Sequence, residues 1–194
     1  MLSIRTMGLA LVAVVALGAV AASSASASSF LAHPTGNILG SGTNTQTFNV
    51  FGGQVTCTTA TFAGKVEVLQ SLHQLVHVVY SGCKAFGTGV EISTALYLFS
   101  ADLKVSVQND IVITSKTGSC SVLVGSAGNQ NLDSVHYGNE GADLKVNALV
   151  KNITYTASGG ICGQAGVTLS NGTYFGEARV MSATAGGVVR WDKE

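Results

Sequence analysis

From Phe30 onward, apolar residues recur at every second position over most segments, and that period of two constrains the fold more than any other feature of the chain. An extended strand points alternate side chains to opposite faces, so this pattern buries one face and wets the other. The clearest stretch sets Leu103, Val105 and Val107 against Lys104, Ser106 and Gln108. Asn109-Asp110 then supplies turn-forming residues, and Ile111 and Ile113 return on the same face, which predicts a hairpin. Val146, Ala148 and Val150 alternate as well, but Ile153 and Tyr155 follow one residue out of phase, which predicts a β-bulge near Lys151-Asn152.

Further strands are expected over 47–50, 54–57, 65–69, 75–80, 90–99, 120–124, 134–137, 173–181 and 187–191. No segment beyond residue 27 keeps helical apolar spacing over three turns, so little helix is expected. Short strands with regularly spaced turn signals predict an all-β fold, namely a β-sandwich or, as the alternative, a barrel-like arrangement. No Pro-rich, acidic or basic linker divides the chain, and residues 28–194 read as a single β-rich domain.

Upstream of that pattern, residues 1–27 carry one positive charge, Arg5, then an apolar run from Met7 to Ala22, then a small-residue end, Ala25-Ser26-Ala27. That order is the order of a secretory signal peptide with an Ala-x-Ala cleavage site. The apolar run falls short of the about 20 residues that span a bilayer, and no anchoring charge follows it. Cleavage after Ala27 would leave a secreted, extracellular chain without a membrane span. Charge points away from nucleic acid as a partner: 10 basic residues balance 10 acidic ones, and only 10% of the chain is charged. With 46% hydrophobic residues the chain is also too apolar for disorder.

All four cysteines, Cys57, Cys83, Cys120 and Cys162, lie beyond the leader, where export permits disulfides. Four cysteines allow three connectivities. Similar flanks, Tyr80-Ser81-Gly82-Cys83 and Tyr155 through Cys162, favour Cys57 with Cys83 and Cys120 with Cys162. A zinc site would call for close Cys-x-x-Cys pairs, which the sequence lacks.

No complete catalytic set emerges. His73 and His77 have the spacing of a helical zinc pair, but Gln74 stands where the general base belongs, and on a strand four residues span about 13 Å. Ser81-Gly82-Cys83-Lys84 and Lys116-Thr117-Gly118 mimic two boxes of penicillin-recognising enzymes without the helix or the third box that chemistry needs. Asn129, Asn131, Asp133 and Glu140 match oxygen positions of a calcium loop, yet Ser134 replaces the turn glycine, and a turn entering a strand is expected there. Glu67, Glu91, Asp102 and Glu177 are carboxylates that a fold could pair in a secreted hydrolase. Trp191 alone is too little for a sugar-stacking platform. No cofactor site, metal site or catalytic residue is assigned.

The runs Gly53-Gln54-Val55-Thr56-Cys57, 80–87 (Tyr80 to Gly87), 135–141 (Val135 to Gly141) and Ile153-Thr154-Tyr155-Thr156 resemble a set of bacterial secreted proteins of unknown function. Members of that set often carry further cysteines between the second and third runs, which this chain lacks. The resemblance implies an exported β-rich domain and no activity. Together these features lead us to expect an exported, two-disulfide, non-enzymatic structural or interaction domain of the cell surface. Cell-envelope material, glycans or other copies of the chain are the expected partners. A glycan- or small-molecule-binding protein and a secreted hydrolase are the alternatives. N-terminal sequencing of exported protein is expected to begin at Ser28, and an intact Met1 would contradict the cleavage.

Overall fold

A computed structural model describes residues 27–50, 53–85, 87–117, 120–125, 130–159 and 166–193. Of the expected leader, all but Ala27 lies outside these residues. The described chain is all β, without helix. Its strands begin with β1 (Ser29–His33), β2 (Gly36–Gly42), β3 (Gln46–Val50), β4 (Gly53–Val66), β5 (Gln70–Ser71) and β6 (His73–Ala85). They continue with β7 (Thr88–Ile92), β8 (Ala95–Ser100), β9 (Val105–Val107), β10 (Ile111–Ser115) and β11 (Ser121–Val124). The last are β12 (Asn131–Leu132), β13 (Val135–Glu140), β14 (Asp143–Ser158), β15 (Thr168–Ser182) and β16 (Val188–Asp192).

Four strands, β4, β6, β14 and β15, are 13 to 16 residues long and organise the rest. β4 pairs with β6 along one edge, and on its other edge β3 covers the first half and β2 the second. Strands β2 and β3 run in the same direction, as one strand interrupted at Thr43-Asn44-Thr45, and both also pair with β15. From there β15 pairs with β14, β14 with β11, β11 with β10, β10 with β7, and β7 with β6. The hydrogen-bonded path therefore returns to its starting strand, always antiparallel. A closed path removes the open edges on which sheets aggregate.

Away from the closure, β8 takes the remaining edge of β6, β9 and β12 follow it, and β13 takes the remaining edge of β14. A separate sheet, β16-β1-β5, covers that end. Phe30 meets Tyr137 edge-on at 5.0 Å, and Trp191 Nε1 donates to the Ala101 carbonyl at 3.1 Å. Asn139 grips the backbone of Trp191 from both sides: Nδ2 donates to its carbonyl and Oδ1 accepts from its N–H. Trp191 is thus part of this cover rather than an open stacking platform. Buried apolar side chains from both sheets form one continuous cluster.

Two local expectations meet different outcomes. The bulge falls where the phase slip put it: the β14–β15 register shifts between Val150 and Ile153, and Asn152 adopts φ 60°. The hairpin at Asn109-Asp110 does not form, because β9 pairs with β8 and β10 with β7. The Asn109 side chain is captured instead at the start of β8, accepting from Leu96 N–H at 2.6 Å and donating to the Thr94 carbonyl at 2.9 Å. What looked like a reversal is a kink. The reversal sits earlier, between β8 and β9, where Leu103 takes φ 71° and its N–H donates to the Ser100 carbonyl.

A paired kink crosses β4 and β6. Thr58 and Thr59 both face out, as do Ser81 and Gly82 opposite them, before burial resumes on each strand. Gly82 is required there, since its φ is 63° and a Cβ would lie 2.2 Å from Thr58 Oγ1. Beside the kink the facing residues Cys57 and Cys83 are joined by a disulfide and buried. Of the two bridges expected, this is the one the described residues contain. Cys120 is not free, and Cys162, its expected partner, lies outside them. Replacing both Cys57 and Cys83 by Ser is expected to lower unfolding stability by about 3 kcal/mol, read from urea melts. An unchanged midpoint would contradict a clamping role.

Candidate functional site

Among the described residues the interior is close to full. Two cavities there measure about 60 Å³ and 40 Å³ and are lined almost entirely by apolar side chains. Small-molecule sites usually offer about 300 Å³ or more. The larger cavity borders a polar cluster. Gln46, fully buried, donates through Nε2 to the Glu177 carbonyl at 3.1 Å and the Asn44 carbonyl at 2.9 Å, and Tyr174 OH donates to its Oε1. Tyr80 OH and Tyr97 OH lie 3.2 Å apart in the same cluster. Gly176 makes room for it, since a Cβ there would fall 2.0 Å from Gln46 Oε1. The cluster ties β3, β6, β8 and β15 together and satisfies its own polar groups. Burial pushes Tyr97 up to about 12 and raises Tyr80, Tyr137 and Tyr174 as well, so these phenols stay neutral.

The four candidate carboxylates sit on separate segments, while Glu67, His73 and His77 share the rim of one outer groove. Glu67 pairs with Lys65 at 3.2 Å, Asp102 with Lys104 at 2.8 Å, and Glu177 with Lys145 at 3.7 Å, while Glu91 sits on β7. Its hydrogen bond with Lys104 holds the Asp102 carboxyl below the usual range, the wrong direction for a general acid. His73 and His77 face out from β6 at strand spacing, and His73 Nδ1 lies 2.7 Å from Ser100 Oγ. No group of three metal-ligating side chains occurs among the described residues. Asp133 and Glu140 are separated by strand β13, with Ser134 at φ 79° making the turn into it. Asn129 and Gly118, members of two sequence motifs, lie outside the described residues. Ser81 and Lys84 flank Gly82 and the bridged Cys83 at the end of a strand, with no helical turn to bring them together.

A much larger concavity lies on the outside of the described residues. An open groove of about 800 Å³ runs over β2, β4 and β6 and is walled by the chain leaving β4. Strand register builds its floor: Leu39 pairs with Ala63, Ala63 with His77, and Leu75 pairs with Leu98 one row away. Leu39 is 50% exposed and Leu75 44%. Val68 forms the wall, while Lys65, Glu67, His73 and His77 make a rim of mixed charge. Strand alternation does not mark this face, although the sequence carries one signal of it. The run Leu75 to Tyr80 is apolar at every position except His77, and a strand apolar on both faces needs cover on both.

No family model matches the sequence, and neither the curated proteins nor the solved structures contain a match.

Burial of the tyrosine cluster predicts a loss of stability in alkali. Phenols raised in the folded state leave stability intact below pH of about 10, where unfolded tyrosine titrates, and remove it as pH climbs toward 12. Tyrosinate absorbance is expected to appear together with loss of β-sheet circular dichroism. Ionisation of Tyr80, Tyr97 and Tyr174 with the sheet signal intact would contradict the cluster.

Proposed function

We propose that this chain is an exported, non-enzymatic interaction module that works through the outer groove of a rigid β scaffold. The observation that carries this reading is a contrast. The interior is filled, while the outer face keeps an apolar trough of about 800 Å³ open to solvent. Contiguous exposed apolar surface with a polar rim marks interaction sites on protein surfaces. The closed strand path supports a barrel-like reading of the scaffold over a sandwich, with a second bridge between Cys120 and Cys162 completing it. Export accords with the disulfide at Cys57 and Cys83, and with the finding that no helix among the described residues is long and apolar enough to cross a membrane.

The carboxylates give hydrolysis no support, since three of the four candidates are held by separate lysines. The small cavities likewise favour interaction over carriage of a ligand. In a sedimentation assay, purified protein is expected to be retained on washed envelope from cells that export the chain. Leu39→Asp with Leu75→Asp should cut that retention at least tenfold, with the melting temperature little changed. Recovery of wild-type protein in the supernatant at every concentration would overturn the reading.

A further inference from the structure

A long strand that changes neighbours along one edge has a break where the first neighbour stops before the second begins, and the backbone groups there have no strand to bond. β15 passes from β3, paired through Phe175, to β2, paired from Ala178, and Glu177 lies in the break. β14 passes from β13, paired through Ala148, to β11, paired from Thr156, and Thr154 lies in that one. β6 passes from β8 to β7, with the connection 93–94 between them. β16 has β1 on one edge and, among the described residues, no strand on the other.

Carboxamides close all four places. Asn44 Oδ1 accepts from Glu177 N–H at 2.9 Å, while Gln46 Nε2 donates to the Glu177 carbonyl at 3.1 Å. Gln130 Oε1 accepts from Thr154 N–H at 2.7 Å, and its Nε2 donates to the Thr154 carbonyl at 2.8 Å. Asn139 does the same to Trp191, at 2.9 Å and 2.8 Å. At the start of β8, Asn109 reaches from Leu96 N–H to the Thr94 carbonyl. A carboxamide carries one acceptor and one donor without charge, the two kinds of group that a neighbouring strand presents. A carboxylate lacks the donor, and Lys or Arg lacks the acceptor. From this recurrence at breaks of different origin, we propose that Asn44 with Gln46, Asn109, Gln130 and Asn139 are edge seals, side chains that stand in for absent strand neighbours. An unsealed break is an open edge, where the ladder frays and another chain can pair. The seals are positioning residues: each acts through the backbone it holds, and on its own break alone.

Residue-resolved amide exchange on the whole chain tests the seals, because local opening is distinguished there from global unfolding. In the wild type the amides of Leu96, Thr154, Glu177 and Trp191 are expected to exchange as slowly as their strand-paired neighbours. Gln130→Met keeps the length of the side chain and loses the carboxamide. It should speed exchange at Thr154 at least tenfold and leave Trp191 and Val78 unchanged. Asn139→Ala should do the converse, with Trp191 faster and Thr154 and Val78 as before. Gln130→Asn keeps the chemical group but withdraws it by one methylene, so it should also speed Thr154, and it serves if the Met variant fails to fold. Fast exchange at Thr154 and Trp191 in the wild type would overturn the assignment. So would an unchanged Thr154 in the Gln130 variants, an unchanged Trp191 in Asn139→Ala, or a rise shared equally by Val78, which would make these side chains ordinary contributors to global stability.

Discussion

Closure of the backbone hydrogen-bond path is the constraint on which the rest of the molecule depends. A strand of 13 to 16 residues runs for about 45 Å, and its twist prevents one short neighbour from satisfying a whole edge. Each long strand here therefore divides one edge between two partners: β4 and β15 between β2 and β3, β6 between β7 and β8, β14 between β11 and β13. The divided edges allow one end of the system to close through β7, β10 and β11. They leave the opposite end for the small sheet and Trp191 to cover.

Closure also decides what the chain can do. Turning every inner face toward the same space fills that space with Val, Ile and Tyr and leaves cavities too small for an ordinary ligand. Polar groups that remain inside, Gln46 and the tyrosine hydroxyls, are spent on one another and on backbone carbonyls. Under the proposed function, recognition falls to the outer surface. There the floor from Leu39 to Leu98 is assembled by register between strands that are distant in sequence, on a sheet whose shape the disulfide-clamped kink helps to set.

Much of this was legible residue by residue. Alternation identified the inner faces at Val105, Val107, Ile111 and Ile113, all of which are buried. A single phase slip located the bulge at Asn152, and similar flanking residues paired Cys57 with Cys83. Other features escaped for physical reasons. Asn109 reads as a turn residue by composition, but a hydrogen bond to Leu96, 13 positions earlier, turns it into a latch. The length of β4 and β6 was hidden because the outward pair at Thr58-Thr59 breaks the alternation just where Ser81-Gly82 breaks it opposite. The groove was illegible because Leu39, Ala63 and Leu75 are ordinary apolar residues until cross-strand register sets them side by side.

Amide hydrogen exchange tests the closed path most directly. β7, β10 and β11 are short and would fray in an open sheet, but closure gives each a neighbour on both edges. Slow exchange at Val90, Ile113 and Val122, comparable to that of Val78 in the long strand β6, is the predicted result. Exchange at those three amides as fast as in exposed turns, with Val78 still protected, would show that the path does not close.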